Sequence, residues 1–172
     1  MTAELEHWHD FYVLVGTAGA TLVALLFVAV SLGAGFLNES RAAATRAFYS
    51  PVVVHFTAVF FLAAVALVPD HEPAFFAIVV TVCATIGLVV ALFVTVQLLR
   101  HDWTRYTQDH LAYALLPTIA YVALLIAAWM IWRQNDFALD VLAGSLLLLL
   151  VINIRNAWDL TLSMVRHQTD RR

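Results

Sequence analysis

The residues of this chain that can do chemistry are a few polar side chains within long apolar stretches. The fifth such stretch carries Asn153, Arg155, Asn156 and Asp159, and the second carries His55. Ionisable groups within a membrane span are costly, usually face the protein interior and mark functional sites. Because histidine changes its charge near neutral pH, His55 is a candidate protonatable member of an intramembrane site.

The spacing predicts that these residues share one layer in one half of the membrane. At a rise of about 1.5 Å per residue, His55 lies roughly 12 Å from the start of its stretch and Asn153 roughly 24 Å from the start of its own. Neighbouring helices run in opposite directions, so both fall in the same leaflet. Further polar groups are expected in this layer: Ser31, Thr95, Gln97, Tyr113 and Thr118.

Two interpretations of this layer stay open. In the functional one it forms a vestibule or ion site, and the fifth helix turns a polar stripe inward. In the structural one, Arg155 and Asp159 pair at a spacing of four residues and reach the lipid headgroups. His55 is then satisfied by an asparagine or by a carbonyl that a proline has freed.

Other chemistries have little support. A serine hydrolase needs its serine and histidine at one depth, but Ser145 and His55 are expected near opposite membrane faces. Haem or metal binding through His7 and His9, or through His55 and His110, lacks any supporting motif. We therefore predict no metal and no cofactor. The few, scattered basic residues also argue against nucleic-acid binding, and no complete catalytic set indicates an enzyme.

Composition identifies the elements that must position these residues. Hydrophobic residues make up 63% of the 172 residues and charged residues only 12%, which is far from the balance of a soluble protein. A transmembrane helix needs about 20 predominantly apolar residues. The sequence therefore predicts an all-α, polytopic transmembrane bundle in a single domain, residues 1–172. Its five spans are expected at 11–37, 47–68, 74–99, 111–132 and 137–165.

The arginines predict the orientation, because cytoplasmic loops collect Lys and Arg. The chain has no lysine. The first loop contains Arg41 and Arg46, the third contains Arg100 and Arg105, and the C-terminal tail contains three more arginines. The fourth loop has Arg133 alone. This alternation predicts an external N-terminus and a cytoplasmic C-terminus, and it assigns the polar layer to the cytoplasmic side.

Small residues at every fourth position predict where the helices meet, because helices in lipid associate by close backbone approach. One such face lies on the first helix at Gly16, Ala20 and Ala24, and another on the third at Gly87 and Ala91. Either face is expected to pack within the chain or to form an oligomer interface.

Two prolines fall inside the predicted spans, and each removes a backbone hydrogen bond and bends its helix. His55 follows Pro51 by one turn, and Tyr113 and Tyr121 flank Pro117 by one turn on either side. Both prolines are expected to kink their helices, either as structural bends or as gating hinges.

Two segments carry a family resemblance: DFYVLVGTAGATLVALLFVAVSL at 10–32 and INIRNAWDL at 152–160. In them the chain resembles a family of small, uncharacterised multi-span bacterial membrane proteins with an NAWDL-type C-terminal helix. The resemblance implies a multi-pass protein of the bacterial inner membrane. It implies no activity and no catalytic residue.

Two functions fit these expectations. The first is a homo-oligomeric channel or transporter for a small ion or solute, which uses the cytoplasm-side polar layer. The alternative is a non-catalytic accessory subunit or modulator that packs against a larger membrane complex through its small-residue faces. The lipid bilayer is a partner in both.

Overall fold

The protein is a bundle of helices. The computed structural model describes residues 6–33, 39–70, 72–101 and 115–169, and within them the side chains of 6–29, 31, 51–70, 72–97 and 115–159. These residues form five long helices and no strand. The helices are α1 (His9–Gly33), α2 (Glu39–Ala66), α3 (Pro73–His101), α4 (Leu116–Trp132) and α5 (Ala138–Thr169).

Three of these helices are long and apolar enough to cross a membrane. The qualifying segments are His9–Ala29 in α1, Pro73–Gln97 in α3 and Ala138–Asp159 in α5. The described apolar parts of the other two helices, Pro51–Ala66 and Leu116–Trp132, are shorter. These three apolar helices are compatible with an integral membrane protein, and the second and fourth spans stay predictions.

The second helix begins earlier than predicted. Its span was expected from residue 47, with a loop before it, but α2 already begins at Glu39. The extra turns contain Ala42, Ala43 and Ala44, and alanine is the strongest helix former. The basic residues Arg41 and Arg46 thus lie on a helix. A count of apolar residues along the sequence locates the apolar segment of a helix but not the residue at which the helix begins.

The helices form a closed ring in chain order. Each of α1 to α5 packs on the next one, α5 also packs on α1, and α2 and α5 meet across the ring. Two short connections, residues 67–72 and 133–137, lie at one end of the bundle, which we call the turn end. Because α1 packs antiparallel to α2, the start of α1 also lies at the turn end.

The connection between α4 and α5 is a tightly closed turn. The backbone N–H of Gln134 donates to the carbonyl of Ile131 at 2.9 Å, and that of Asn135 donates to Met130 at 3.0 Å. Gln134 itself adopts a left-handed backbone with φ of 54°. This pair of bonds is the Schellman helix ending. The side chain of Asn135 then accepts a bond from the N–H of Phe137 at 3.0 Å, which starts α5.

Apolar side chains cover both the inside and the outside of the bundle. Val52, Phe56, Val59 and Leu62 repeat every three or four residues along α2 and are buried in the core. The outer face of α3 is also apolar and is exposed, at Ile78, Val82, Ile86, Val89 and Phe93. An exposed apolar face of this length suits contact with lipid, in agreement with the composition.

The face with which α1 packs inside the chain differs from the predicted one. A β-carbon added at Gly16 would lie 3.2 Å from Cβ of Ala63, and one at Gly19 would lie 3.3 Å from the backbone nitrogen of Phe60. Ala20 and Ala24, by contrast, are exposed. A helix has about 3.6 residues per turn, so positions four residues apart drift around the helix and away from the contact with α2. Gly19, three residues after Gly16, stays on the contact face.

Candidate functional site

A hydrogen bond between two buried side chains crosses the bundle. His55 Nδ1 on α2 lies 2.6 Å from the Tyr121 hydroxyl oxygen on α4. His55 is 2% exposed and Tyr121 is fully buried. Both ring tautomers fit this contact, since the hydroxyl can donate to bare Nδ1 and can accept from a protonated one. The structural interpretation expected an asparagine or a proline-freed carbonyl as the partner of His55, whereas among the described residues its partner is a tyrosine.

Glycine at position 87 makes room for this pair. A β-carbon at Gly87 on α3 would overlap Cε1 and Cζ of the Tyr121 ring. Ala84 and Ala91, one turn to either side, are also buried. The predicted small-residue face at Gly87 and Ala91 thus packs against α4 within the chain, which brings three helices together at one point.

Helix α5 adds three buried polar side chains. The hydroxyl of Ser145 donates to the carbonyl of Val141 at 2.7 Å, and Nδ2 of Asn153 donates to the carbonyl of Leu149 at 2.7 Å. Oδ1 of Asn153 has no hydrogen-bond partner among the described residues, although Asn153 is fully buried. Asn156 lies one turn further along and is buried as well.

Arg155 and Asp159 of α5 face outward, as the structural interpretation expected and in contrast to the inward stripe of the functional one. Arg155 Nη2 lies 3.8 Å from Asp159 Oδ2, and their side chains are 45% and 39% exposed. Trp158 beside them is also exposed. About 1.5 Å per residue puts Asp159 roughly 31 Å from Ala138, close to the thickness of the hydrocarbon core. The pair thus lies on the outside of the bundle, in the half away from the turn end, and its contact with lipid headgroups stays a prediction.

The remaining expected members do not all face the interior. Gln97 and Ser31 are exposed, and Thr95 and Thr118 are partly buried. The hydroxyl of Thr95 donates to the carbonyl of Ala91 in its own helix at 2.9 Å. Tyr113 and His110 lie outside the described residues.

The two prolines occupy different positions in their helices. Pro51 lies inside α2, as predicted. Pro117 falls in the first turn of α4 as far as the structure describes that helix, and residues 102–114 lie outside the described residues. The kink predicted at Pro117 therefore stays a prediction.

The buried polar side chains occur at regular depths along the bundle. His55 and Tyr121 each lie eleven residues from the turn end of their helix, which places both about 16 Å inside. On α5, Ser145 lies about 10 Å, Asn153 about 22 Å and Asn156 about 27 Å from the same end. Tyr12 lies about 5 Å from the start of α1. Successive depths in this set differ by about one helical turn. We call these six side chains the buried polar series; in order of depth they are Tyr12, Ser145, His55 with Tyr121, Asn153 and Asn156.

His55 lies about 16 Å from the turn end, and Asn153 lies about 6 Å deeper. The assignment of both residues to the cytoplasmic leaflet stays a prediction. Sequence analysis missed Tyr121 as the partner of His55, although their equal distance from their turns could have indicated it.

The buried polar series carries hydrogen-bonding groups and no fixed charge. Among the side chains that the structure describes, no aspartate, glutamate or arginine is buried. Within the same residues, no group of three His, Cys, Asp or Glu side chains is arranged to hold a metal ion. The chemistry of this interior is thus that of hydroxyl, imidazole and carboxamide groups.

Comparison with known proteins leaves the site to be interpreted from its geometry. No protein-family model matches the chain, and no curated protein or solved structure was found to be similar to it. The fold and the site define an all-helical protein with apolar helices of membrane-spanning length.

We predict that Gly87→Ala destabilises the protein by about 1–3 kcal/mol, because the added carbon displaces the Tyr121 ring in a packed core. Gly144→Ala is the matched control, since a β-carbon there meets nothing within 4 Å. It should be neutral or stabilising by up to about 1 kcal/mol, because alanine favours the helix. Unfolding of both variants in detergent micelles measures the difference. Equal stability of the two variants would contradict the Gly87 contact.

We predict that Tyr121→Phe lowers the free energy of unfolding by about 1–2 kcal/mol, because it removes the partner of buried His55. Tyr12→Phe is the control. The Tyr12 hydroxyl is buried and has no partner among the described residues, so its removal should cost nothing or stabilise the fold. Combining Tyr121→Phe with His55→Leu should cost clearly less than the two changes separately. Strict additivity would show that the two side chains do not interact.

Proposed function

We propose that this chain is a multi-pass protein of the bacterial inner membrane with five spans, an external N-terminus and a cytoplasmic C-terminus. We further propose that it assembles with copies of itself into a channel or transporter for a small ion or solute. The observation that carries this proposal is the buried polar series. It provides a hydrogen-bonding side chain at about every helical turn between Tyr12 and Asn156.

Energetics support a functional role for this series. Burying a polar group in an apolar interior costs free energy, and a membrane provides no water to compensate. Leucine or alanine at these positions would give the bundle a simpler core, as the apolar residues around them do. Polar groups inside spans accordingly mark pathways of substrates and ions in membrane proteins.

Transport along the buried polar series requires a conformational change, because the side chains of His55 and Asn153 are buried by their neighbours. Pro51 is a position at which α2 could bend. It lies one turn before His55 inside α2, and its lack of an N–H weakens the helix at that point. A bend of α2 at Pro51 would shift His55 relative to Tyr121 and open the interior. This favours a gated channel or a transporter over an open pore.

One face of α1 supports assembly. Ala20 and Ala24 are exposed, and so are Thr17 and Thr21 beside them. The hydroxyl of Thr21 donates to the carbonyl of Thr17 at 2.8 Å, so it is already satisfied within the helix. Small exposed residues allow a second membrane helix to approach closely. We take this face as the contact between copies of the chain.

The exposed face of α1 at Ala20 and Ala24 also fits the alternative function, an accessory subunit. An accessory subunit of a larger membrane complex would dock through exposed small residues. The expected docking points Gly16 and Gly87 are not available, because Ala63 and Tyr121 of the same chain occupy those sites. Ala20 and Ala24 are the surface on which this alternative now depends.

We predict that the purified protein in liposomes conducts or transports at least one of three probes: protons, potassium ions or glycerol. His55→Leu should reduce that flux at least tenfold, because it removes the central hydrogen bond of the series. Thr81→Val is the control, since the Thr81 hydroxyl is satisfied by Ala77 in its own helix at 2.8 Å. A pH-sensitive dye, a potassium electrode and light scattering measure the three fluxes.

Mild-detergent purification and native mass spectrometry test the assembly. A discrete homo-oligomer that Ala20→Leu dissociates supports the proposal. A stoichiometric complex with a larger membrane protein, together with no flux of any probe, contradicts it and favours the accessory role.

A further inference from the structure

We propose that Oδ1 of Asn153 is the binding point of the transported species, and that this species is a small neutral hydrogen-bond donor such as water or glycerol. This inference rests on the proposed function and names the class of substrate for it. The observation that supports it is that Asn153 of α5 is fully buried and that its carboxamide oxygen has no hydrogen-bond partner among the described residues.

The carboxamide of Asn153 uses one of its N–H donors and leaves its oxygen as an unpartnered acceptor among the described residues. Its Nδ2 is committed to the carbonyl of Leu149 at 2.7 Å, which fixes the orientation of the carboxamide against its own helix. Oδ1 then has no hydrogen-bond partner among the described residues. Whatever binds there must donate a hydrogen bond, because a carboxamide oxygen only accepts.

Such an arrangement is unfavourable unless a ligand uses it. More than nine in ten buried polar groups in proteins have a hydrogen-bond partner, so an orphaned acceptor needs a reason. Leucine at this position would have a similar volume and no unsatisfied atom. The unpartnered oxygen of asparagine is therefore the group that a transient ligand would use.

Charge and coordination favour a neutral ligand over an ion. In the described part of the interior no charged side chain could compensate an ion, and an uncompensated ion in an apolar interior is strongly disfavoured. A hard cation moreover requires several oxygen ligands at once. A single acceptor suits one O–H or N–H group.

Neighbouring members of the series provide the next steps. The His55 and Tyr121 pair lies about 6 Å from Asn153 in depth, and Asn156 lies about 5 Å beyond it. These depths place a hydrogen-bonding side chain about one helical turn to either side of Asn153 along the bundle.

The test uses full-length protein in liposomes and measures the stopped-flow permeability of water and glycerol. Wild-type protein should raise the permeability above that of empty liposomes, and Asn153→Leu should lose at least nine-tenths of that increase. The same variant should unfold at a higher temperature than wild type, since it removes an unsatisfied buried group. Asn153→Ser provides a second variant, because its shorter side chain bonds to its own helix and cannot reach into the interior. Thr81→Val should leave permeability unchanged.

Three results would overturn the inference, and they separate it from the proposed function. Flux of protons or potassium without flux of water and glycerol would leave a transport protein but refute the neutral ligand. Full glycerol and water permeability in both Asn153 variants would refute the binding point alone. Absence of flux for every probe would refute the proposed function and this inference together.

Discussion

The hydrogen bond between His55 and Tyr121 is the contact on which the interior of this protein depends. It joins α2 to α4 across the bundle at 2.6 Å, and it requires a glycine at position 87 of α3. Three helices are thereby held in register at mid-depth by one polar contact. In a bundle whose other contacts are mainly apolar and interchangeable, such a contact specifies one arrangement, because a shift of one turn would leave both polar groups unpaired.

Around this contact the protein separates its polar groups by type. Charged side chains face outward, as with the Arg155 and Asp159 pair and with Arg133, whose guanidinium lies 5.8 Å from the centre of the Trp129 ring. Uncharged hydrogen-bonding groups lie inside, from Tyr12 to Asn156. This distribution follows from solvation, because ions lose far more than neutral amides and hydroxyls when they leave water. An interior of this kind suits a small uncharged solute better than an ion.

Much of this could be predicted from the sequence, since composition determines which segments are apolar helices. The predicted spans at 11–37, 74–99 and 137–165 correspond to helices long enough to cross a membrane. The sequence could not show that α2 starts at Glu39, because its first turns are helical without being apolar. It also could not resolve which polar residues of one helix face inward, since Asn153 and Arg155 are only two residues apart and lie on opposite faces. The contact between His55 and Tyr121 depends on the packing of three helices, which no local pattern contains.

The central claim is that small hydrogen-bonding molecules reach the buried polar series. Water-edited solid-state NMR of the labelled protein in lipid bilayers measures this directly, as the rate at which magnetisation passes from water to each side chain. The account predicts rapid transfer to His55 and Asn153, and slow transfer to Leu124 and Leu142, which are fully buried apolar residues of α4 and α5. Transfer to His55 and Asn153 as slow as to these leucines would show a dry interior and contradict the account.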